Sequence, residues 1–331
     1  MKKRLKVSVA MTTYNGERFV LGQLESFTNQ ERLPDELVIS DDASTDHTVE
    51  IVREFANRAP FPVKLFINEH NLGIPENFGR AIERVSGDVI FLSDSDDYWY
   101  PEKIRVMEKA FEKSTEAGLV ICNSDEVDER LRPLGVRTWA AIDQFFPSEW
   151  LLKNIALGKI YRPRMPAGGC CMAFRAKFKP LILPLPPSDP LQPIAYDHFI
   201  ARMIICSGCG GAVLLPKPLL AYRMHAGQAT NPGTTHFHAR ILERVTTCRN
   251  FPYQLPMNIE RLESKYAIQH CINPEIRTSA LRHWRARLEM PSTFIGRLPV
   301  VVREVLSLRY SRFSSGMLTA AKDLLVPRER Y

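Results

Sequence analysis

Residues 87–97 read Gly87-Asp-Val-Ile-Phe-Leu-Ser-Asp-Ser-Asp-Asp97. The apolar run from Val89 to Ser93 is typical of a buried strand, and it ends directly in a cluster of acids that begins at Asp94. In open α/β sheets, ligands bind just beyond the carboxyl ends of the strands, where the loops converge. This stretch therefore predicts both a sheet of that kind and an acidic site at its edge.

The segments before this stretch alternate between strand and helix patterns. Strand patterns occupy residues 5–12, 36–40 and 63–68, and helical patterns with an apolar stripe occupy residues 17–29, 46–58 and 76–85. The alternation predicts an α/β fold with a mostly parallel central sheet flanked by helices. Ser44 or Thr45 is a candidate cap for the second helix.

A change in composition divides the chain near residue 230. Residues 1–230 are predicted to form the α/β domain, with a nucleotide-binding half over 1–115 and an acceptor half over 116–230. The acceptor half contains a proline-rich loop from Leu181 to Pro193. Residues 231–331 are predicted to form a basic helical extension, with helical apolar spacing in residues 241–245 and 298–308.

The positive charge of the chain is concentrated in this extension. The net charge is +7, and residues 231–331 contain 16 Lys and Arg against 8 Asp and Glu. Two interpretations stay open, namely contact with an anionic membrane surface and a solvated helical face. Nucleic acid is disfavoured as a partner, because the basic residues are spread out and no zinc-finger spacing or RNP-type aromatic pattern accompanies them.

The N-terminus and the cysteines bear on the compartment. Met1-Lys-Lys-Arg4 runs into the first strand without the apolar stretch of a signal peptide. The odd count of seven cysteines, with one isolated C-x-x-C pair at Cys206 and Cys209, favours reduced thiols. No stretch reaches the roughly 20 apolar residues that span a bilayer. We expect a cytoplasmic protein whose membrane contact, if present, is peripheral on the inner face of the cytoplasmic membrane.

The acids at the strand ends suit a nucleotide sugar. Asp94 and Asp96 are carboxylates one residue apart, which can hold Mg²⁺ or Mn²⁺ against a diphosphate, although such pairs also arise by chance. Asp41 and Asp42 can accept hydrogen bonds from a base and a ribose, or form an Asx turn and helix cap. Tyr14 can stack on the base or serve packing alone. Dinucleotide and P-loop phosphate sites are disfavoured, because the chain lacks both Gly-x-Gly-x-x-Gly and Gly-Lys-Ser/Thr.

Five segments together resemble the family 2 inverting glycosyltransferases of the GT-A fold, in particular their bacterial polysaccharide and rhamnosyltransferase-like branch. In order and spacing they cover about two-thirds of the chain. The segments are Val7-Ser-Val-Ala-Met-Thr-Thr-Tyr-Asn-Gly16, Ile39-Ser-Asp-Asp-Ala-Ser-Thr-Asp46, Asn71-Leu-Gly73, the quoted residues 87–97, and Tyr222-Arg-Met-His225. The resemblance implies a GT-A type nucleotide-sugar-binding domain.

The resemblance also implies roles for individual residues. The nucleotide contacts would be Thr12, Tyr14, Glu17, Asp41, Asp42, Asp94 and Ser95. The metal ligands would be Asp94, Asp96 and His225, and the residues beside the donor sugar and acceptor would be Gly168, Gly169 and Asp97. Asp197 would be the catalytic base, although this chain has Tyr196 where the family motif has an acid. Asp197 can also be read as a helix N-cap, and the glycines as a bulge or bend.

The implied reaction is metal-dependent, inverting transfer of a sugar from a dTDP- or UDP-sugar to a glycan or lipid-linked acceptor. It would serve bacterial surface polysaccharide synthesis, such as that of O-antigen, and the motif style favours rhamnosyl transfer. Two alternatives stay open. One is a non-catalytic nucleotide- or glycan-binding accessory subunit with the same fold. The other is a sugar-nucleotide nucleotidyltransferase, which would use a basic Gly-rich loop that residues 12–16 do not provide.

Overall fold

The architecture was analysed in a computed structural model of the chain. The structure describes residues 4–141, 150–151, 168–186, 195–206, 211–228, 274–310 and 317–325. The chain divides into two compact units, the first drawn from residues 1–232 and the second mainly from residues 233–331. The division of the α/β region into a nucleotide-binding and an acceptor half stays a prediction.

In the part of the first unit that the structure describes, one sheet of ten strands forms the centre. The strands are β1 (Val7–Thr13), β2 (Glu36–Asp41), β3 (Val63–Ile67), β4 (Val89–Ser93), β5 (Tyr98–Trp99), β6 (Ala117–Val127), β7 (Pro133–Arg137), β8 (Trp150–Leu151), β9 (Met172–Arg175) and β10 (Gly211–Arg223). The helices of this unit are α1 (Val20–Thr28), α2 (Thr48–Arg58), α3 (Ile74–Arg84), α4 (Lys103–Lys113), α5 (Lys179–Ile182) and α6 (Tyr196–Cys206).

The sheet has the order β3-β2-β1-β4-β9-β6-β10-β5, with β7 on β6 and β8 on β10. The first four strands are parallel, β9 runs antiparallel to both of its neighbours, and β10 returns parallel to β6. All five residues of β4 are buried, as expected for a central strand covered by helices on both faces. The predicted α/β fold with a mostly parallel sheet flanked by helices is confirmed.

The strand register brings the polar loops together. Thr13 at the end of β1 pairs with Asp41 at the end of β2, and Met11 pairs with Ser93 at the end of β4. Because these strands are parallel, the loops that follow them leave the sheet at the same edge. The segments after β1, β2 and β4 are those in which the sequence predicts nucleotide and metal contacts.

The starts of three helices differ from the sequence prediction, and α3 begins at Ile74 and not at residue 76. Helix α1 begins at Val20 and not at Glu17, because the backbone before it is held by side chains of the loop after β2. Helix α2 begins at Thr48, and neither Ser44 nor Thr45 caps it. The hydroxyl of Ser44 instead donates to Asp41, which makes the predicted cap wrong.

The second unit contains α7 (Pro274–Leu288), α8 (Phe294–Leu306) and α9 (Met317–Leu325). Its apolar core is formed by Met290, Val301, Tyr310 and Ala320. Helix α8 includes most of the segment predicted from 298 to 308, whereas the segment predicted from 241 to 245 lies outside the described residues. Within the described ranges, no helix has the length and apolar character needed to cross a membrane.

The basic residues of the second unit do not all lie on a solvated face. Arg287 and Arg309 are buried. Arg287 pairs with Asp323 at 2.5 Å, and Arg309 pairs with Glu304 at 2.6 Å. The interpretation of the extension as one solvated basic face is therefore wrong for these arginines, which neutralise buried acids.

Candidate active site

The loops after β1 and β2 are fastened together by hydrogen bonds between side chains and backbone. The Asn15 amide donates to Oγ of Ser44 at 2.9 Å, and the Gly16 amide donates to Oγ1 of Thr48 at 2.8 Å. Glu17 accepts from the backbone amide of His47 at 3.0 Å. These bonds fix the predicted nucleotide loop on the start of α2, so that it forms a pre-organised platform.

Asp41 is buried beneath this platform and holds its shape. Its carboxylate accepts from Oγ1 of Thr13 at 2.6 Å and from the backbone amide and hydroxyl of Ser44 at 2.8 and 2.7 Å. Asp41 thus bonds to the backbone three residues on, one further than in an Asx turn, and the predicted helix cap is not formed. Asp41 has no exposed surface, so it cannot contact a base in this conformation, and that contact stays a prediction.

Asp42 organises the loop that opens α3. Its carboxylate accepts from Nδ2 of Asn68 at 2.9 Å and from the backbone amides of Leu72 and Gly73 at 2.8 and 2.9 Å. Gly73 has a φ of +82°, in the region that favours glycine, which explains this residue in Asn71-Leu-Gly73. The carboxylate thus has a structural role beside its predicted ribose contact.

The end of β10 returns to the acids that follow β4. Nε2 of His225 lies 3.0 Å from Oδ2 of Asp96. Nε of Arg223 donates to the carbonyl of Asp96 at 2.6 Å, and its backbone amide donates to Oδ1 of Asp97 at 3.2 Å. The Phe19 ring packs against both His225 and the Arg223 guanidinium, each at 4.7 Å. The structure therefore unites two of the predicted metal ligands.

A second group of donor atoms lies on the inner side of the same acids. One ligand atom each from Asp94, Asp97 and Cys170 falls within 4.8 Å of the others. Oδ2 of Asp97 is buried without a well-formed hydrogen bond among the described residues, although the Cys170 thiol lies beside it. A buried carboxylate oxygen in this state suits a cation or a proton. The acids that follow β4 therefore fit a divalent cation.

Burial, together with neighbouring carboxylates, raises the pKa values of two of the acids that follow β4. Burial, with the nearby carboxylates of Asp96 and Asp197, raises the pKa of Asp94 to about 8. Burial, with Asp96 and Asp94, also raises the pKa of Asp97 well above its ordinary value. The buried ammonium of Lys103, which donates to the carbonyl of Cys170 at 2.5 Å, partly offsets this negative charge. A divalent cation would relieve the repulsion that remains.

Asp197 lies in the first turn of α6 and faces the glycine segment. Its Oδ2 accepts from the Gly169 amide at 3.0 Å, and its Oδ1 accepts from the His198 amide at 2.6 Å. Burial raises the pKa of Asp197 to about 6, although both hydrogen bonds lower it. Since α6 begins at Tyr196, the N-cap interpretation of Asp197 is wrong.

Gly169 is required by the close approach of Tyr196. A Cβ atom at Gly169 would lie 1.9 Å from the Tyr196 hydroxyl oxygen, whereas one at Gly168 would meet only Sγ of Cys171 at 3.7 Å. Gly169 begins a short 3₁₀ turn that leads into β9, in place of the bulge or bend considered from the sequence. The Tyr196 ring stacks on Phe78 at 4.3 Å, which fixes the start of α6 and with it Asp197.

The remaining predicted contacts are placed as follows. Thr12 pairs with Ser40 in the sheet, Tyr14 is exposed on the platform, and Ser95 approaches Gly16. Asp97 has no exposed surface, so it cannot contact a sugar in this conformation. Its predicted sugar contact stays a prediction.

Four residues that the sequence predictions omitted also shape the site, namely Lys103, Cys170, Tyr196 and Arg223. Arg223 and Tyr196 lie inside motifs quoted above, and that adjacency was the available signal. The buried Lys103 had no local signal, because nothing in the sequence of α4 distinguishes it from a surface lysine.

The sequence profile described as "Glycosyl transferase family 2" matches residues 8–179, just over half of the chain. The chain belongs to glycosyltransferase family 2. The match includes β1, β2, β4 and the acids after β4, whereas Asp197 and His225 lie beyond it.

Curated relatives match over shorter segments of this family 2 chain. An uncharacterized protein of Mycobacterium tuberculosis is 28% identical over 156 residues, which are 45% of each chain. The dTDP-rhamnosyl transferase RfbG of Shigella flexneri is 38% identical over 99 residues, 29% of this chain and 34% of the relative. The abequosyltransferase RfbV of Salmonella typhimurium is 30% identical over 122 residues, 36% of each. The matches thus span less than half the length of these relatives.

Solved structures agree over nearly the whole chain. The structure of S. aureus TarS 1-349 in complex with UDP-GlcNAc covers 96% of this chain and 90% of its own, with a TM-score of 0.56 at 18% identity. A mannosyltransferase from Pyrobaculum calidifontis in complex with GDP-Man and Mn²⁺ covers 98% and 88%, with a TM-score of 0.51 at 17% identity. At these identities the agreement shows the GT-A like fold.

Proposed function

We propose that this family 2 chain is an inverting glycosyltransferase that moves a sugar from a nucleotide-diphosphate sugar to a glycan or lipid-linked acceptor. The observation that carries the proposal is the position of Asp197. Its carboxylate is held by the Gly169 amide, and it lies close enough to Asp94 to raise the pKa of that residue. Asp197 would therefore act as the base, beside acids that suit a donor diphosphate.

The chemical step is a single in-line displacement. The acceptor hydroxyl oxygen forms a bond to the anomeric carbon while the bond from that carbon to the diphosphate oxygen breaks, and the nucleoside diphosphate leaves. Asp197 takes the proton of the acceptor hydroxyl. Its oxygens accept from backbone amides, those of Gly169 and His198 among them, and a carboxylate has about four lone-pair sites, so capacity remains for that proton.

The donor would be bound by the platform and the acids. Tyr14 is exposed for stacking on the base, whereas Asp41, which is buried in this conformation, would reach the base only after the platform above it moves. A divalent cation, Mn²⁺ or Mg²⁺, would be held by Asp94, Asp96 and the largely buried His225, because an ion that also touches the diphosphate needs accessible carboxylates and His225 contacts one of them. Asp96 and Asp94 keep exposed surface, whereas Asp97 and Cys170 are buried. When bound, the cation offsets charge on the departing diphosphate.

The named relatives support a place in bacterial surface polysaccharide synthesis. They include a dTDP-rhamnosyl transferase, an abequosyltransferase and a poly(ribitol-phosphate) β-N-acetylglucosaminyltransferase. We propose dTDP-rhamnose as the first candidate donor and a UDP-sugar as the second. Work at the inner face of the cytoplasmic membrane would give access to lipid-linked acceptors.

A donor panel tests the proposal. The full chain is incubated with dTDP-rhamnose, UDP-glucose, UDP-GlcNAc and GDP-mannose, with Mn²⁺ or with EDTA, and release of nucleoside diphosphate is measured. We expect release from one donor, loss of release with EDTA and in Asp96→Ala, and retention in Asp88→Ala. Asp88 precedes β4, so this control changes an acid at the other end of the same strand.

The outcomes separate the proposals. Binding of a donor without turnover, under any acceptor mixture, would contradict the enzyme and favour the accessory-subunit alternative. Strong preference for UDP-glucose or UDP-GlcNAc over dTDP-rhamnose would contradict rhamnosyl transfer while leaving the glycosyltransferase proposal intact.

A further inference from the structure

Helix α8 of the second unit presents an apolar face to the outside. Five large apolar side chains of this helix are exposed, and four of them recur at every fourth residue. They are Phe294, Ile295, Leu298, Val302 and Leu306. Residues four apart lie on one side of a helix, so the exposed side chains form a continuous stripe.

The opposite face of α8 is charged and buried. Arg297 and Glu304 are both buried. Arg297 donates to the carbonyls of Pro291 and Ser292 at 2.8 and 2.6 Å. Glu304 accepts from Arg309 and lies 2.9 Å from Nδ1 of His283. A surface helix of a soluble domain normally turns its apolar side inward. Helix α8 turns only part of its apolar surface inward, namely Val301 with the partly buried Val300 and Val305, and leaves the stripe outside.

The side chains of the stripe are more exposed, and closer together, than the single apolar residues that occur on most protein surfaces. Ile295 is 83% exposed and Leu306 is 78% exposed, and the remaining three are between 43% and 52%. Single exposed apolar residues need no explanation, whereas a contiguous exposed patch marks an interaction site. The stripe therefore requires a partner that accepts aliphatic side chains.

Cationic side chains flank the stripe. Arg303 is the one charged residue on the outward side of α8, and its side chain is 63% exposed. A cleft of about 680 Å³ between α7 and α8 is lined by Arg303 and by the exposed Arg282 and Arg285, with Glu289 as the acid at its border. Cations beside an apolar surface match the headgroup and acyl layers of an anionic bilayer.

We propose that the outward face of α8, with Arg282, Arg285 and Arg303, docks this protein on the surface of an anionic lipid bilayer. Helix α8 has 13 residues, whereas spanning a bilayer takes about 20, so the helix lies along the surface with its stripe among the acyl chains. Only the purpose of this docking, access to a lipid-linked acceptor, rests on the proposed function.

A second copy of the chain is a poorer occupant. In a two-fold dimer the same patch meets itself. That arrangement would bring two sets of these arginines toward each other, and like charges in juxtaposition oppose association. Anionic headgroups instead attract each arginine near the surface, which the surplus of basic residues in the extension reinforces.

Vesicle sedimentation tests the docking surface. The full chain is mixed with vesicles of pure phosphatidylglycerol or pure phosphatidylcholine, and the bound fraction is measured. We expect binding to phosphatidylglycerol only. The double variant Ile295→Glu/Leu306→Glu should lower the partition at least about tenfold, and Arg303→Gln should lower it about fivefold. Leu134→Glu, which changes a similarly exposed apolar residue of β7 in the first unit, should bind as the wild type does.

Helix content, release of nucleoside diphosphate and vesicle binding are measured for each variant. Circular dichroism must show the same helix content in each variant, and release of nucleoside diphosphate in solution is measured in parallel. Loss of vesicle binding with unchanged release supports the docking surface, and absent release in the wild type counts only against the proposed function. Unchanged vesicle binding in the double variant would overturn the inference. So would a wild type that ignores vesicles but forms a dimer that Ile295→Glu dissociates.

Discussion

Nε2 of His225 lies 3.0 Å from Oδ2 of Asp96, although 129 residues separate the two in the chain. The contact exists because β10 runs parallel to β6 and ends beside the loop that follows β4. The Phe19 ring packs against the His225 imidazole, with 4.7 Å between the ring centroids. The pair places a nearly buried nitrogen donor beside the partly exposed carboxylate of Asp96, where a cation could bind both.

Removal of the imidazole tests this pair. His225→Ala should weaken Mn²⁺ binding about 10- to 100-fold, because the change removes one proposed ligand and frees the Asp96 carboxylate. The measurement is titration of Mn²⁺ by electron paramagnetic resonance on the full chain. His70→Ala, at an exposed histidine of the loop before α3, is the matched control and should bind Mn²⁺ as the wild type does. Equal affinity in His225→Ala would remove His225 from the metal site.

The raised pKa of Asp94 makes metal binding pH-dependent. Without metal this carboxyl titrates at about 8, so at neutral pH it holds a proton that a cation must displace. We expect Mn²⁺ affinity to rise as pH increases toward about 8 and about one proton to be released at pH 7. Calorimetry in two buffers of different ionisation enthalpy measures that proton. The release should vanish in Asp94→Asn, and proton release that persists there would assign it to another group.

The contact between Gly169 and Tyr196 predicts a stability difference between neighbouring glycines. Gly169→Ala should lower the free energy of unfolding by about 1–3 kcal/mol, because the new methyl group would overlap the Tyr196 hydroxyl. Gly168→Ala should change it by less than about 0.5 kcal/mol. Urea unfolding followed by tryptophan fluorescence compares the two. Adding Tyr196→Phe to Gly169→Ala should restore part of the loss, and equal effects at the two glycines would contradict the close approach.

The buried acid of α8 predicts an acid-sensitive second unit. Although burial opposes it, hydrogen bonds from His283 and Arg309 lower the pKa of Glu304 to about 2. A carboxyl whose pKa is lowered on folding stabilises the fold above its ordinary pKa of 4.5, and that stabilisation is lost as pH falls from 4.5 toward about 2.

Glu304→Gln should therefore destabilise α7 and α8 by about 3–5 kcal/mol at neutral pH, since it leaves buried arginine charge unpaired. The difference from the wild type should shrink as the pH falls through the window given above. Hydrogen exchange of peptides from α7 and α8 measures this locally. The exposed Glu289→Gln is the control and should leave exchange unchanged. A pH-independent difference between Glu304→Gln and the wild type would contradict the ion network.

The parts of the fold that sequence could predict are those set by local patterns. The strand Val89–Ser93 is predicted with its observed limits, because four apolar residues followed by Ser93 and the acids leave few alternatives. The grouping of Asp41 with Asp94 followed from the rule that parallel strands share one edge. Helix starts were less accurate, since hydrogen bonds between the first two loops, such as that from Gly16 to Thr48, decide where α1 begins.

The parts that sequence could not predict depend on pairing between distant segments. The closeness of Asp97 to Cys170 requires the position of β9 beside β4, which no local pattern specifies. Lys103 resembles a surface lysine until the sheet covers it. In the second unit, composition shows a basic surplus but not which arginines meet buried acids. The exposed apolar stripe of α8 likewise emerged only from the structure.

The role of Asp197 as base is the central claim, and the pH dependence of sugar transfer at saturating metal tests it most directly. The pKa of Asp197 is raised to about 6, and only its carboxylate form accepts the proton. The kcat/KM of the wild type should therefore rise as the pH increases through about 6 and level off above it. Asp197→Asn should bind the donor as the wild type does and transfer sugar about 10²- to 10⁴-fold more slowly. Wild-type rates in Asp197→Asn, with the same rise through pH 6, would contradict the account.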